Sequence, residues 1–390
     1  MERKRPRGLK KSAESGTGQK KRKPTEAVED VPAASGSQNT EGAPSKDMRT
    51  IVVDASSDGD DVAIIKKLYE MAMEKIDDEA TLEEAKDFLN GTVHECDRLL
   101  RLAHEDEESK SFPAEFFLHY GLALKRLGEA QEDESDRQAF EEASEERLLQ
   151  ALDSEELDAE SVKWRILQAL AELNLRKAMV LYQDNPSDKD ASALLELATQ
   201  QLSEYSGLLV EEKQVSDEDK ETLLVNMGFA VQRVADMCDD IKAKEKGCRG
   251  AEHVFRLAIK VNKGSIEGHM GLGSCSLSLA SYFLDQADED HESAKNNKIA
   301  EKKLKAALAE FRQGQQAAKD QSTEKPAVLC MLGETLINLG NLYDDDDEEA
   351  ASEFYKEAFQ CFKQVQEIDA NALPEQFIEF VEEWENDMDS

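Results

Sequence analysis

The chain has 390 residues, of which 34% are charged, 39% hydrophobic and only 6% aromatic, with a formal net charge of -37. Such a profile disfavours a compact sandwich or barrel and suits an all-α helical repeat, whose thin core is spread along its length. The charge is uneven: Met1–Thr25 carry ten Lys/Arg against two Glu, and the rest has 38 basic against 83 acidic residues, a balance of -45 that repels nucleic-acid phosphate and excludes a direct DNA or RNA reader.

Residues 1–60, rich in Ser, Gly, Thr, Lys and Glu, read as a disordered basic N-terminal tail, because too little apolar surface is present to offset the entropy of ordering. Two basic clusters, Lys10-Lys11 and Lys20-Lys21-Arg22-Lys23, form a candidate nuclear localisation signal for a nuclear import receptor; a solvated charge run or a nucleic-acid arm are the alternatives. No apolar run approaches bilayer length and the basic start is not followed by an apolar stretch, so neither a membrane anchor nor a secretory signal is expected. The six cysteines are far apart, form no C-x-x-C pair, and read as reduced, mostly buried small hydrophobes.

From residue 61 to about 385 the apolar residues keep a 3.6-residue period, and residues 386–390 form an acidic C-terminal end. After residue 50 only Pro113, Pro186, Pro326 and Pro374 interrupt the chain, which permits long helices. The first distinctive helix is LNGTVHECDRLLRL, Leu89–Leu102. Val93, Cys96, Leu99, Leu100 and Ala103 make its apolar stripe, while His94, Asp97, Arg98 and Arg101 share the other side, with Asp97 and Arg101 one turn apart and expected to pair.

Next come helix pairs of tetratricopeptide type, in which a first helix carries a large residue followed by Leu-Gly and a second carries small-x3-aromatic-x2-small. First helices are read at Phe117-x2-Tyr120-Gly121, Trp164-x2-Leu167-Gln168, Leu224-x2-Met227-Gly228, His269-x2-Leu272-Gly273 and Leu329-x2-Leu332-Gly333. Second helices are clearest at Ala251-x3-Phe255-x2-Ala258 and Ala358-x3-Phe362-x2-Val365. The marker positions 121, 168, 228, 273 and 333 lie farther apart than the roughly 34 residues of the ordinary unit, which implies long helices or acidic insertions such as Asp344–Glu349. The expected fold is a tetratricopeptide-like solenoid over residues 61–385.

LNGTVHECDRLLRL closely resembles the signature helix of a fungal family called enhancer of translation termination, described also as negative regulators of a prolyl-hydroxylase-like dioxygenase. The opening Lys4-Arg5-Pro6-Arg7-Gly8-Leu9 with its following basic cluster, and Leu339-Gly340-Asn341-Leu342-Tyr343-Asp344 near the end, are similar to runs of the same family, although Arg7 and Lys10 stand where the family often has uncharged residues. The resemblance implies a nuclear, non-catalytic helical-repeat protein. Its implied partner is an iron- and 2-oxoglutarate-dependent dioxygenase, with links to hypoxic gene regulation and to correct translation termination.

The residues themselves offer no catalytic, cofactor-binding or metal-ligating set. His104-Glu105-Asp106 matches the letters of an iron-ligand motif but sits at an acidic helix end without barrel strands, and His94 and Cys96 face apart on a helix. Gly268-x2-Gly271-x-Gly273 has no preceding strand, so helix packing accounts for it better than phosphate binding. A partner surface is expected instead: His94, Asp97, Arg98 and Arg101 on the signature helix, and Lys125, Arg126, Arg165 and Arg233 on the first helices, where arginine can grip carboxylates. The second reading of both groups is a solvated polar face balanced by nearby glutamates. An acidic, tetratricopeptide-type histone chaperone is the alternative function, weakened by the shortness of the longest acidic run.

Overall fold

The computed structural model describes residues 61–105, 111–154, 160–289, 293–321, 325–343, 347–369 and 371–388. Among them are thirteen α-helices and no strand. They follow in pairs: α1 (Asp61–Met73) with α2 (Leu82–Glu105), α3 (Ala114–Glu129) with α4 (Glu134–Leu152), and α5 (Glu160–Asp184) with α6 (Lys189–Glu211). Then come α7 (Asp217–Asp236) with α8 (Ile241–Val261), α9 (Ile266–Glu289) with α10 (Ser293–Asp320), and α11 (Pro326–Tyr343) with α12 (Glu348–Ile368), closed by α13 (Glu375–Met388). α13 continues through residues 386–388. The basic clusters of residues 10–23 lie outside the described residues.

The helix ends are written in the sequence. Asp133, Asp188, Ser216, Asp240 and Asp347 each accept hydrogen bonds from first-turn N–H groups of α4, α6, α7, α8 and α12, which satisfies donors that the helix itself leaves open. All four prolines of the body stand at helix boundaries: Pro113 at the N-cap of α3, Pro326 as the first residue of α11, Pro374 just before α13 and Pro186 in the α5–α6 turn. There the missing N–H costs nothing.

Each first helix packs on its own second helix and on the neighbouring first helices, which makes an all-α helical-repeat solenoid. The five first helices read from the sequence are α3, α5, α7, α9 and α11. Glycine is required at several of their markers because a ring occupies the space a Cβ would take: Gly228 and Gly271 both meet Phe255, Gly273 meets Phe311, Gly333 meets Phe362 and Gly340 meets Tyr355. Gly121 meets Leu148 in the same way. Each ring thus fills the groove between paired helices, as ridges-into-grooves packing demands.

Two expectations are corrected. Gln168 is no packing marker: it is half-buried and hydrogen-bonds Glu172 at 2.9 Å, while Ala171 one turn later is fully buried. The stack also contains a sixth pair, α1 and α2, which places LNGTVHECDRLLRL on a second helix. The pairs exceed the usual repeat because α5, α6, α9 and α10 run to 25, 23, 24 and 28 residues.

Candidate partner-binding surface

Helix α2 buries the stripe that its spacing implies. Leu89, Thr92, Cys96 and Leu99 are buried, with Val93, Leu100 and Ala103 packed against the same cluster as Phe112, Phe116 and Tyr120 of the α3 region. Thr92 satisfies its hydroxyl on the Phe88 carbonyl at 2.9 Å, and burial pushes the Cys96 thiol well above its ordinary range, so it is an inert core group.

The opposite side of α2 is divided. His94 and Arg101 are exposed, and Arg98 is partly exposed and grips Glu95 with two charge-assisted bonds of 2.6 and 2.8 Å. That grip holds the Glu95 carboxyl below its usual range. The ion pair expected between Asp97 and Arg101 does not form. The Asp97 carboxylate instead accepts the Tyr120 hydroxyl of α3, and Arg101 Nε reaches only the Asp97 carbonyl, at 3.3 Å. Burial and this bond push the Tyr120 hydroxyl up to about 12, and the Arg147 guanidinium lies 5.2 Å over its ring. Asp97 therefore ties α2 to α3, while His94, Arg98 and Arg101 remain presented, with Leu102 beside them 46% exposed.

The four first-helix cations do not form one cluster. Lys125 is buried and neutralised by Glu129 at 2.5 Å and Glu172 at 2.8 Å; burial works against its charge, but the two carboxylates hold its pKa above the ordinary value. Arg126 is paired with Glu129 at 2.7 Å. Glu129 at i+4 was the sequence signal for this balance. Arg165 on α5 is half-buried and close enough to Tyr69 and His119 to act on both electrostatically, whereas Arg233 is exposed near the end of α7. Neither Arg165 nor Arg233 has an acidic partner among the described residues.

Sequence reasoning missed the group that joins these helices. The buried His119 bonds the Glu115 carbonyl at 2.8 Å through Nδ1 and meets Tyr69 edge-to-face at 5.5 Å. Burial, reinforced by Arg165, pushes its pKa down to about 4, so the imidazole is neutral at physiological pH. Also missed was an open cleft of about 480 Å³ at the α1–α2 turn, where Met73, Ile76, Leu82 and Leu89 supply an apolar wall beside Arg126 and Glu129. A His on an apolar helix face gives the first away; nothing in the spacing gives the second. His104 is exposed at the end of α2, and Asp106 lies outside the described residues. No group of three metal-ligating side chains converges, and no helix is long and apolar enough to cross a membrane, among the described residues.

Comparison with known proteins agrees with this architecture. Over 312 residues the chain is 25% identical to enhancer of translation termination 1 of Yarrowia lipolytica, covering 75% of this chain and 78% of that protein. It is 37% identical over 126 residues to the Saccharomyces cerevisiae protein of the same name, a span of 32% of this chain and 27% of that one. A solved structure presented as the hypoxic regulator of sterol synthesis Nro1, a nuclear import adaptor, shares the fold with a TM-score of 0.56 at 19% identity, over 84% of this chain and 94% of that one. A second solved structure, of the S. pombe nuclear import adaptor Nro1, gives the same TM-score of 0.56 at 19% identity, over 86% of this chain and 98% of that one. The family described as nuclear pore complex subunit Nro1 matches residues 1–248, well over half the chain and the part that holds LNGTVHECDRLLRL. The chain is therefore a nuclear protein and belongs to the Nro1 family, which its opening residues and its α2 helix resemble.

Proposed function

We propose that this chain is a non-catalytic nuclear adaptor that binds a prolyl-hydroxylase-like 2-oxoglutarate dioxygenase, and through it affects hypoxic gene expression and correct translation termination. The observation that carries the reading is the outer side of α2. Its apolar stripe is fully used in the core, yet His94, Arg98, Arg101 and Leu102 stay on the surface of the most distinctive segment in the chain. Exposed cations around an apolar side chain suit a protein client with a carboxylate-bearing contact segment. The lysine clusters at residues 10–11 and 20–23 would engage an import receptor, which makes the client's passage into the nucleus a consequence of being held.

Co-purification of the tagged full chain from nuclear extract, followed by mass spectrometry, tests the reading. A 2-oxoglutarate dioxygenase should be recovered with the wild type and depleted at least tenfold with Arg98→Glu/Arg101→Glu. Recovery of no such enzyme would overturn the assignment, and salt-sensitive capture of histones in its place would favour a histone chaperone.

A further inference from the structure

Helix α8 carries a second surface of opposite character to the acidic body. Lys242, Lys246, Arg249, His253, Arg256 and Lys260 recur at intervals of four, three, four, three and four, so they form one stripe, and every one of them is exposed. At about 1.5 Å per residue the stripe runs for roughly 27 Å. Local neutralisation is slight. Lys246 meets Glu196 of α6 at 2.7 Å and Arg256 meets Glu252 at 2.9 Å, each with the cation exposed, while Lys242, His253 and Lys260 have no acidic partner among the described residues.

The neighbouring helix holds the stripe in place. Gly250 lets α8 lie against α6, since a Cβ there would meet the Thr199 side chain, and Glu196–Lys246 crosses the same joint. The side of α6 that meets α8 carries Glu196 and Thr199, whereas the 42% exposed Leu197 shares its side with Gln201 and Glu204, which bond Asn174 and Lys163 of α5, so the stripe stands on its charges alone.

We propose that the outer face of α8 docks a short acidic segment of a partner protein, with its carboxylates along the stripe from Lys242 to Lys260. Charge complementarity argues for a carboxylate-bearing segment, and the limits of the patch argue for a short one. A nucleic-acid backbone would continue past the stripe onto surface belonging to a body with a balance of -45, where its phosphates are repelled. The proposal does not rest on the α2 reading, because it concerns a different helix and a different pair.

Fluorescence anisotropy of the full chain with a labelled twelve-residue peptide of alternating glutamate and leucine, at low and moderate salt, tests it. Arg249→Glu/Arg256→Glu should weaken binding at least tenfold and flatten its salt dependence, with circular dichroism and Tm showing an intact fold. Alanine at residues 20–23 should leave the α8-dependent part unchanged. Unchanged peptide affinity in the double variant, or loss that follows the tail variant alone, would overturn the proposal. So would tighter binding of a twenty-base DNA duplex that the same α8 substitutions abolish, or salt-sensitive self-association that they abolish.

Discussion

Between α7 and α12 each helix pair closes on a glycine facing an aromatic ring, whereas between α3 and α6 the joints rely heavily on charge. Phe255 sits against both Gly228 and Gly271, and Phe362 against Gly333. In the other region Arg176 of α5 reaches Glu134 at 3.0 Å and the buried Glu141 of α4, Lys177 reaches Glu145 at 2.5 Å, and Lys125 of α3 bridges to Glu172 of α5 at 2.8 Å. A ring in a glycine notch is stabilised by apolar burial and close packing that depend little on salt. Ion pairs with one end buried, as at Lys125 and Glu141, are a different device: much of their attraction is spent on desolvating the buried charge.

That contrast can be broken at its strongest point first. Phe255→Ala should cost about 3–5 kcal/mol, because it empties the space shared by two glycine notches, and thermal unfolding should show a clear fall in Tm. Next in size is a pH effect confined to the charged region. The unfolded chain protonates His119 near 6.5 while the folded chain resists until about 4, so the stability is fully present above 6.5 and is lost as pH falls across that window. The loss should approach about 3 kcal/mol by pH 4, and His119→Gln should flatten denaturant midpoints measured from pH 7 to 4.5 relative to wild type.

Glu141→Gln should cost about 2 kcal/mol, below the full penalty for breaking a buried pair, because Arg176 keeps Glu134 and is partly exposed. Chemical denaturation of this variant should respond to salt more weakly than surface charge variants do. The smallest effect belongs to Lys246 and Glu196, both about half exposed: a double-mutant cycle on stability should return less than about 1 kcal/mol. A larger coupling there would mean that the α8 stripe stabilises the fold and is not merely presented on it.

The same contrast explains what could be read from the chain. The glycine–aromatic joints leave a periodic mark, so AEHVFRLAIK followed by HMGLG and AFQCFKQV after LGETL gave the register of α8, α9, α11 and α12 directly. Joints made by charge leave none, since Glu141 and Arg176 look like any solvated residues of an acidic chain. For that reason the spacing offers Gln168 as a marker, hides α1 as the partner of α2, and pairs Asp97 with Arg101, although Asp97 belongs to a tyrosine twenty-three residues away. The polar side of α2 was legible as a helix face. Its division into a structural half and a presented half depends on Tyr120, which only the tertiary contact reveals.

The measurement that bears most directly on the proposed role is a calorimetric titration of purified 2-oxoglutarate dioxygenase into the full chain and into Arg98→Glu/Arg101→Glu. Saturable binding to the wild type, weakened at least tenfold in a variant whose circular dichroism shows the helical fold intact, is the expected result. Equal affinity for both proteins, or no heat of binding to either, would contradict it.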